Sequence, residues 1–154
     1  MKIILFFTLT GLLVISANDQ ECWPPQLPCG ANLRFAEHGD ISWGDERARL
    51  DVLAIHFRKS SNQVIYFLIY AGLHSCKHEA RLRALRARKY LVQHHKLPQA
   101  SIVWKDGGFK PDFSMEIWLL PSGKPLPEPS SFLTVDPSQV RFSKNCKELK
   151  QRQW

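Results

Sequence analysis

No hydrophobic run in this 154-residue chain reaches the length that a membrane-spanning helix needs, about 20 apolar residues. The longest, Ile3 to Ile15, falls short. Gly-x-Ser-x-Gly and His-Glu-x-x-His are both absent, which removes the serine-hydrolase elbow and the zincin helix. No zinc-module spacing, helix-turn-helix or stacked-aromatic signature is found, so nucleic acid is not an expected partner. Internal repeats are also lacking. Acids are outnumbered, 14 against 21 basic residues, for a formal net charge of +7. The expectation from these absences is a noncatalytic chain with no cofactor and no bound metal.

What is present points to export. Lys2, the apolar run and Ser16-Ala17 have the order of a secretory signal peptide, so residues 1–17 are read as one, cleaved after Ala17. The polar Asn18-Asp19-Gln20-Glu21 before Cys22 does not form a lipobox, and no lipid anchor or transmembrane segment is expected after signal removal. Four cysteines in an exported chain imply two disulfides among three pairings. The favoured pairs are Cys22–Cys29 and Cys76–Cys146, the second pinning the tail to the core. Losing Lys2 with the signal leaves a net charge of about +6. Such a protein is drawn to anionic surfaces, including cell-wall polymers. A solvated basic face explains the same charge equally well.

Residues 18–32 read as a Pro-rich leader. Leu33-Arg34-Phe35-Ala36 and Ile41-Ser42-Trp43 are strand candidates around a turn at His38-Gly39-Asp40. Asp45-Glu46 place acids at a helix start. Leu50, Leu53, Ala54 and Phe57 at i, i+3, i+4, i+7 predict a helix over about 45–59. Val64 to Tyr70 is an unbroken apolar run, the pattern of a central strand. Gly72 ends it, and Ser75 is the expected N-cap of an Arg-rich helix ending near His95 or Lys96, ahead of Pro98. Its small residues Ala80, Ala84 and Ala87 allow close packing on the sheet. Ser101 to Lys105 is a strand, Asp106-Gly107-Gly108 a turn, and Phe113 to Leu120 the last strand. The order predicts an α/β chain of the α+β two-layer kind. It runs β-α-β-α-β-β over residues 33–120, with a mixed sheet and both helices on one face. Residues 121–154 read as a Pro-rich linker and basic tail. Trp43, Trp104 and Trp118 fall on predicted strands. Core packing is their expected use, and two on one open face would make a stacking platform.

Arg83-Ala84-x-x-Ala87-x-x-Tyr90-Leu91, followed by Ser101-Ile102, resembles the second helix and next strand of the OmpA C-terminal-like domain family. Leu50-Asp51-x-Leu53-Ala54 is similar to that family's first helix, and Ile69-Tyr70-Ala71-Gly72 to the strand entering its Gly-x-Thr-Asp loop. The resemblance implies a noncatalytic module holding peptidoglycan through the diaminopimelate residue of its stem peptide. It also implies a place in the periplasm or cell envelope of a Gram-negative bacterium. The family's Arg and loop Asp grip the ligand's charged ends. The Arg matches Arg83, but Ser75 stands where the Asp would be, and Cys76, Glu79 and Ala80 replace further family positions. The resemblance therefore implies a weakened or exchanged ligand, or a module that has lost wall binding and serves protein interaction.

The candidate pocket comprises Arg83, Ser75, His74, Glu79 and Gly72, with helix N–H groups and the Arg fork suited to a carboxylate. Glu79, at i, i+4 from Arg83, could supply the missing acid. The alternative is an ordinary Glu79–Arg83 pair on a wet helix surface. His74, Cys76 and His78 offer imidazole and thiolate to a metal, although Cys76 is more simply a disulfide half. Asp51 and His56, five apart, do not share a helix face. His94-His95 suit a helix C-terminus.

Overall fold

The structure is a computed structural model that describes residues 33–60, 62–131, 134–143 and 146. The signal peptide, the Pro-rich leader and the Cys22–Cys29 pair lie outside the described residues. So does the basic tail apart from Cys146.

The elements follow the expected order. They are β1 (Leu33–His38), α1 (Trp43–Lys59), β2 (Gln63–Ala71), α2 (Glu79–Gln93), β3 (Ile102–Phe109) and β4 (Ser114–Pro121). The sheet order is β1-β4-β2-β3. β2 and β3 are parallel, and β4 runs antiparallel to both β1 and β2. This is the expected mixed-sheet α+β sandwich. Both helices lie on one face. Leu50, Leu53 and Ala54 of α1 and Ala80, Ala84, Ala87 and Leu91 of α2 share a core with Ile65, Phe67 and Ile69 of β2. The alanines are almost fully buried, as close helix–sheet packing requires. Among the described residues no helix is long and apolar enough to cross a membrane.

β2 is buried without a break from Ile65 to Ala71. Its alternate side chains, Tyr66, Leu68 and Tyr70, form a second cluster with Leu120 on the face away from the helices. The segment after β4, read from its prolines as a linker, is tied to this second face. Tyr66 donates its hydroxyl to the Pro127 carbonyl, Ser130 N–H donates to the Tyr70 oxygen, and Glu128 pairs with Lys105. Burial pushes the Tyr66 phenol up to about 12, so it is a neutral donor at any physiological pH. Further on, Val135 N–H bonds to Phe109, Arg141 N–H to Leu73 and Ser143 N–H to Ser75. The expected Cys76–Cys146 disulfide then ties the segment down, with Cα atoms 5.8 Å apart.

Local expectations fail at several points. Ile41-Ser42-Trp43 is the entry to α1, not a strand, because the Ser42 hydroxyl accepts the Asp45 N–H and caps the helix. α2 begins at Glu79 rather than just after Ser75. His78 stands at its N-cap in a left-handed conformation, and the Glu79 carboxylate accepts the Cys76 N–H. The helix ends at Gln93, and Leu97 N–H returns to Leu91 O with Lys96 left-handed, which closes the helix end. Asp106-Gly107-Gly108 is not a turn but a bulge within β3, where the register against β2 shifts between Ile69 and Ala71. A Cβ at Gly107 would lie 2.6–2.9 Å from the buried Tyr70 ring, so only glycine lets the strand pass. Trp104 packs on the helix side and Trp118 on the opposite face. They cannot form the two-ring platform considered from sequence.

Two stability outcomes follow. Gly107→Ala should lose about 1–3 kcal/mol by overpacking against Tyr70, read as a lower urea midpoint at unchanged slope. Reducing the Cys76–Cys146 bridge, which spans 70 residues, should cost up to about 4 kcal/mol on chain-entropy grounds. An unshifted melting temperature after Cys146→Ser would contradict that.

Candidate functional site

The carboxyl ends of β1 and β2 and the β3–β4 turn meet at one end of the sheet. Lys110 N–H bonds to Ala71 O and Leu73 N–H to Pro111 O, lacing the β2–α2 loop to that turn. Gly72 sits at the seam, where a Cβ would be 3.0 Å from the Phe113 nitrogen. The result is a cleft of about 370 Å³. Gly72, His74 and Glu79 line it together with Asp40, Asp112 and Phe113. Three of the five predicted pocket residues are therefore wall residues.

Arg83 lies directly behind that wall and is only 5 % exposed. Its Nε donates to Glu79 at 3.0 Å and its Nη2 to Asp40 at 2.5 Å, while the guanidinium carbon sits 4.0 Å over the Phe113 ring. The Glu79–Arg83 pair exists, but it is buried rather than on a wet helix surface. Burial alone would lower the arginine's pKa; hydrogen bonds and charge from Asp40 and Glu79 reverse this, and the net shift is upward. Ser75 is also buried, yet its hydroxyl does not line the cleft and has no partner among the described residues. Ser143 lies along its backbone instead. The predicted role of Ser75 as a cap and ligand contact is not what its position offers.

The polar cluster continues inward. Glu46, fully buried on α1, pairs closely with Arg86 and lies 3.9 Å from Arg83. Arg86 is roofed by the Trp43 ring at 4.4 Å. Burial pushes the Glu46 carboxyl up, and the attraction of Arg86 and Arg83 offsets this only in part. His38, at the end of β1, completes the cluster. It donates Nδ1–H to Gly39 O at 2.9 Å, and its buried Nε2 has no partner among the described residues. Burial first, then the charges of Arg49, Arg83 and Arg86, hold its pKa below the usual imidazole value. Sequence reasoning placed Asp40 in a turn and Glu46 at a helix dipole and assigned nothing to Asp112, so it missed all three as site residues. The spacing Glu79–Arg83–Arg86 on one helix face was the available signal.

The metal reading of His74, Cys76 and His78 fails, because the Cys76 sulfur is spent in the disulfide. Asp51 does not engage His56. It accepts hydrogen bonds from Tyr90 and His95, each at 2.7 Å. Comparison with known protein families, curated proteins and solved structures finds no match for this chain.

A histidine whose folded pKa is depressed takes up protons on unfolding. The stability it contributes is complete above its unfolded pKa, near 6.5, and is lost as the pH falls toward the folded value. Wild-type stability should therefore decline below about pH 6.5, with a His38 share of up to about 1.4 kcal/mol per pH unit. In His38→Gln that slope should shrink. Equal slopes in urea titrations of the two proteins would refute the assignment.

Proposed function

We propose that this chain is an exported, noncatalytic binding module whose cleft takes a ligand group carrying an ammonium beside a carboxylate. The diaminopimelate end of a peptidoglycan stem peptide, suggested by the OmpA-like resemblance, is the leading candidate. The site of action would be the periplasm or cell envelope of a Gram-negative bacterium. The observation that carries this reading is the convergence of Gly72, His74 and Glu79 with Asp40 and Asp112 in one cleft backed by Arg83. The family's loop Asp has no counterpart at Ser75, but two acids arrive at the same cleft from other loops. Either can meet an ammonium with a charge-assisted contact. A ligand carboxylate reaches Arg83 by displacing Asp40, whose side chain is 72 % exposed and free to swing out.

One observation favours a second reading. Arg83 already holds two carboxylates of its own chain, which suits a structural staple in a protein-interaction module that does not bind wall polymer.

Sedimentation with insoluble peptidoglycan separates the two. The wild type should pellet, and the exposed-site variant Asp112→Asn should bind roughly 10- to 100-fold more weakly, the worth of one charge-assisted contact. A wild-type protein that stays in the supernatant would discard wall binding in favour of the interaction module.

A further inference from the structure

A second cluster lies at the far end of α2, on the order of 20 Å along the helix from Glu79. The carboxylate of Asp51 on α1 faces His94 and His95 at the end of α2. One ligand atom from each of the three falls within 4.8 Å of the others. The two imidazole rings are nearly perpendicular, with centroids 4.9 Å apart, so their nitrogens approach the carboxylate from different directions. Tyr90 organises the group. Its ring stacks on His94 at 5.0 Å and meets His95 edge-on at 5.5 Å, and its hydroxyl donates to Asp51. Arg58 donates to the His95 carbonyl and fixes the turn that carries both histidines.

We propose that Asp51, His94 and His95 form a site for a divalent transition-metal ion, with water completing the shell. Two imidazoles and a carboxylate are a donor set for zinc, nickel or copper(II). Ligand atoms around tetrahedral zinc sit about 3.3 Å apart, from bond lengths near 2.0–2.1 Å, so small side-chain rotations fit the group to an ion, the Asp51–His95 pair opening from its 2.7 Å hydrogen bond and separations of up to 4.8 Å closing. The hydrogen bond from Tyr90 to Asp51 is the outer-shell contact that orients a ligating carboxylate. Asp51 comes from α1 and the histidines from α2, and the ion would clasp the two helices at the end away from the cleft. The site is independent of the proposed ligand pocket.

The test is isothermal titration of the full, oxidised chain with zinc, nickel and copper(II) chlorides, with melting curves alongside. One ion should bind per chain and raise the melting temperature. His94→Ala, an exposed position that leaves the fold intact, should lose at least tenfold in affinity, and His95→Ala should lose more. A His74→Ala/His78→Ala double variant should bind as the wild type does. No binding by the wild type would overturn the proposal. So would unchanged binding by His94→Ala, or loss confined to the His74/His78 variant. If His95→Ala does not fold, His94→Ala alone decides.

Discussion

The fold rests on a central strand that is apolar on both sides. Ile65, Phe67 and Ile69 face the helices, and Tyr66, Leu68 and Tyr70 face away, all at 1 % exposure or less. The crossovers from β1 to β2 and from β2 to β3 run the same way across the sheet, so a shared hand puts α1 and α2 on the same face. The opposite face therefore needs another cover, and only chain after β4 remains to supply it among the described residues. Prolines suit that role. They keep the segment extended without requiring strand pairing, and the Tyr66 and Tyr70 hydroxyls hold it through single hydrogen bonds. The disulfide at Cys76 ends the same wrapping, so the segment that covers the sheet also braces the β2–α2 loop.

That brace matters because the loop borders a cluster of buried charge. Glu46 and Glu79 lie within the fold with Arg83 and Arg86, and Asp40 closes the cluster from its rim. Buried ion pairs of this kind add little net stability compared with apolar packing, but removing one partner leaves an uncompensated charge and costs about 3–5 kcal/mol. Their effect here is on geometry. Glu46 fixes α1 against α2, Glu79 fixes the first turn of α2 against Cys76, and Arg83 fixes both to the β1–α1 loop. A one-residue slip of α2 would break all three connections at once.

The layer order and the sheet class were legible in the sequence because each depends on local periodicity and chain-order rules, whereas cysteine arithmetic left three pairings open and only favoured the Cys76–Cys146 bridge that the structure contains. The site was legible only where its residues fell on one contiguous stretch, Gly72 to Arg83. Asp40 and Asp112 come from loops far apart in sequence, and neither loop carries a pattern that marks it as a wall. Glu46 obeys the helix-dipole rule and is also buried, and periodicity does not distinguish the two. Ser75 misled because capping preference is a local rule. The disulfide and the Glu79 bond to Cys76 delay the helix by three residues. The cover on the second sheet face was missed because proline content marks extended chain without saying what lies beneath it.

The saturation of Arg83 shapes what the cleft can discriminate. A guanidinium bonded to two carboxylates gains little from accepting a third, since a ligand carboxylate that displaces Asp40 exchanges one charge-assisted bond for another of similar strength. Net affinity under the proposed reading must then come from elsewhere. Once released, Asp40 is a free acid at the cleft rim, and Asp112 is already exposed there. A cationic group on the same ligand gains both, in a cleft floored by the Phe113 ring. A plain carboxylate receives the exchange and nothing more, and two acids at the rim repel it. Under the proposed reading the arrangement would therefore select a paired charge over a single one, with the selectivity in the two rim acids more than in the buried arginine.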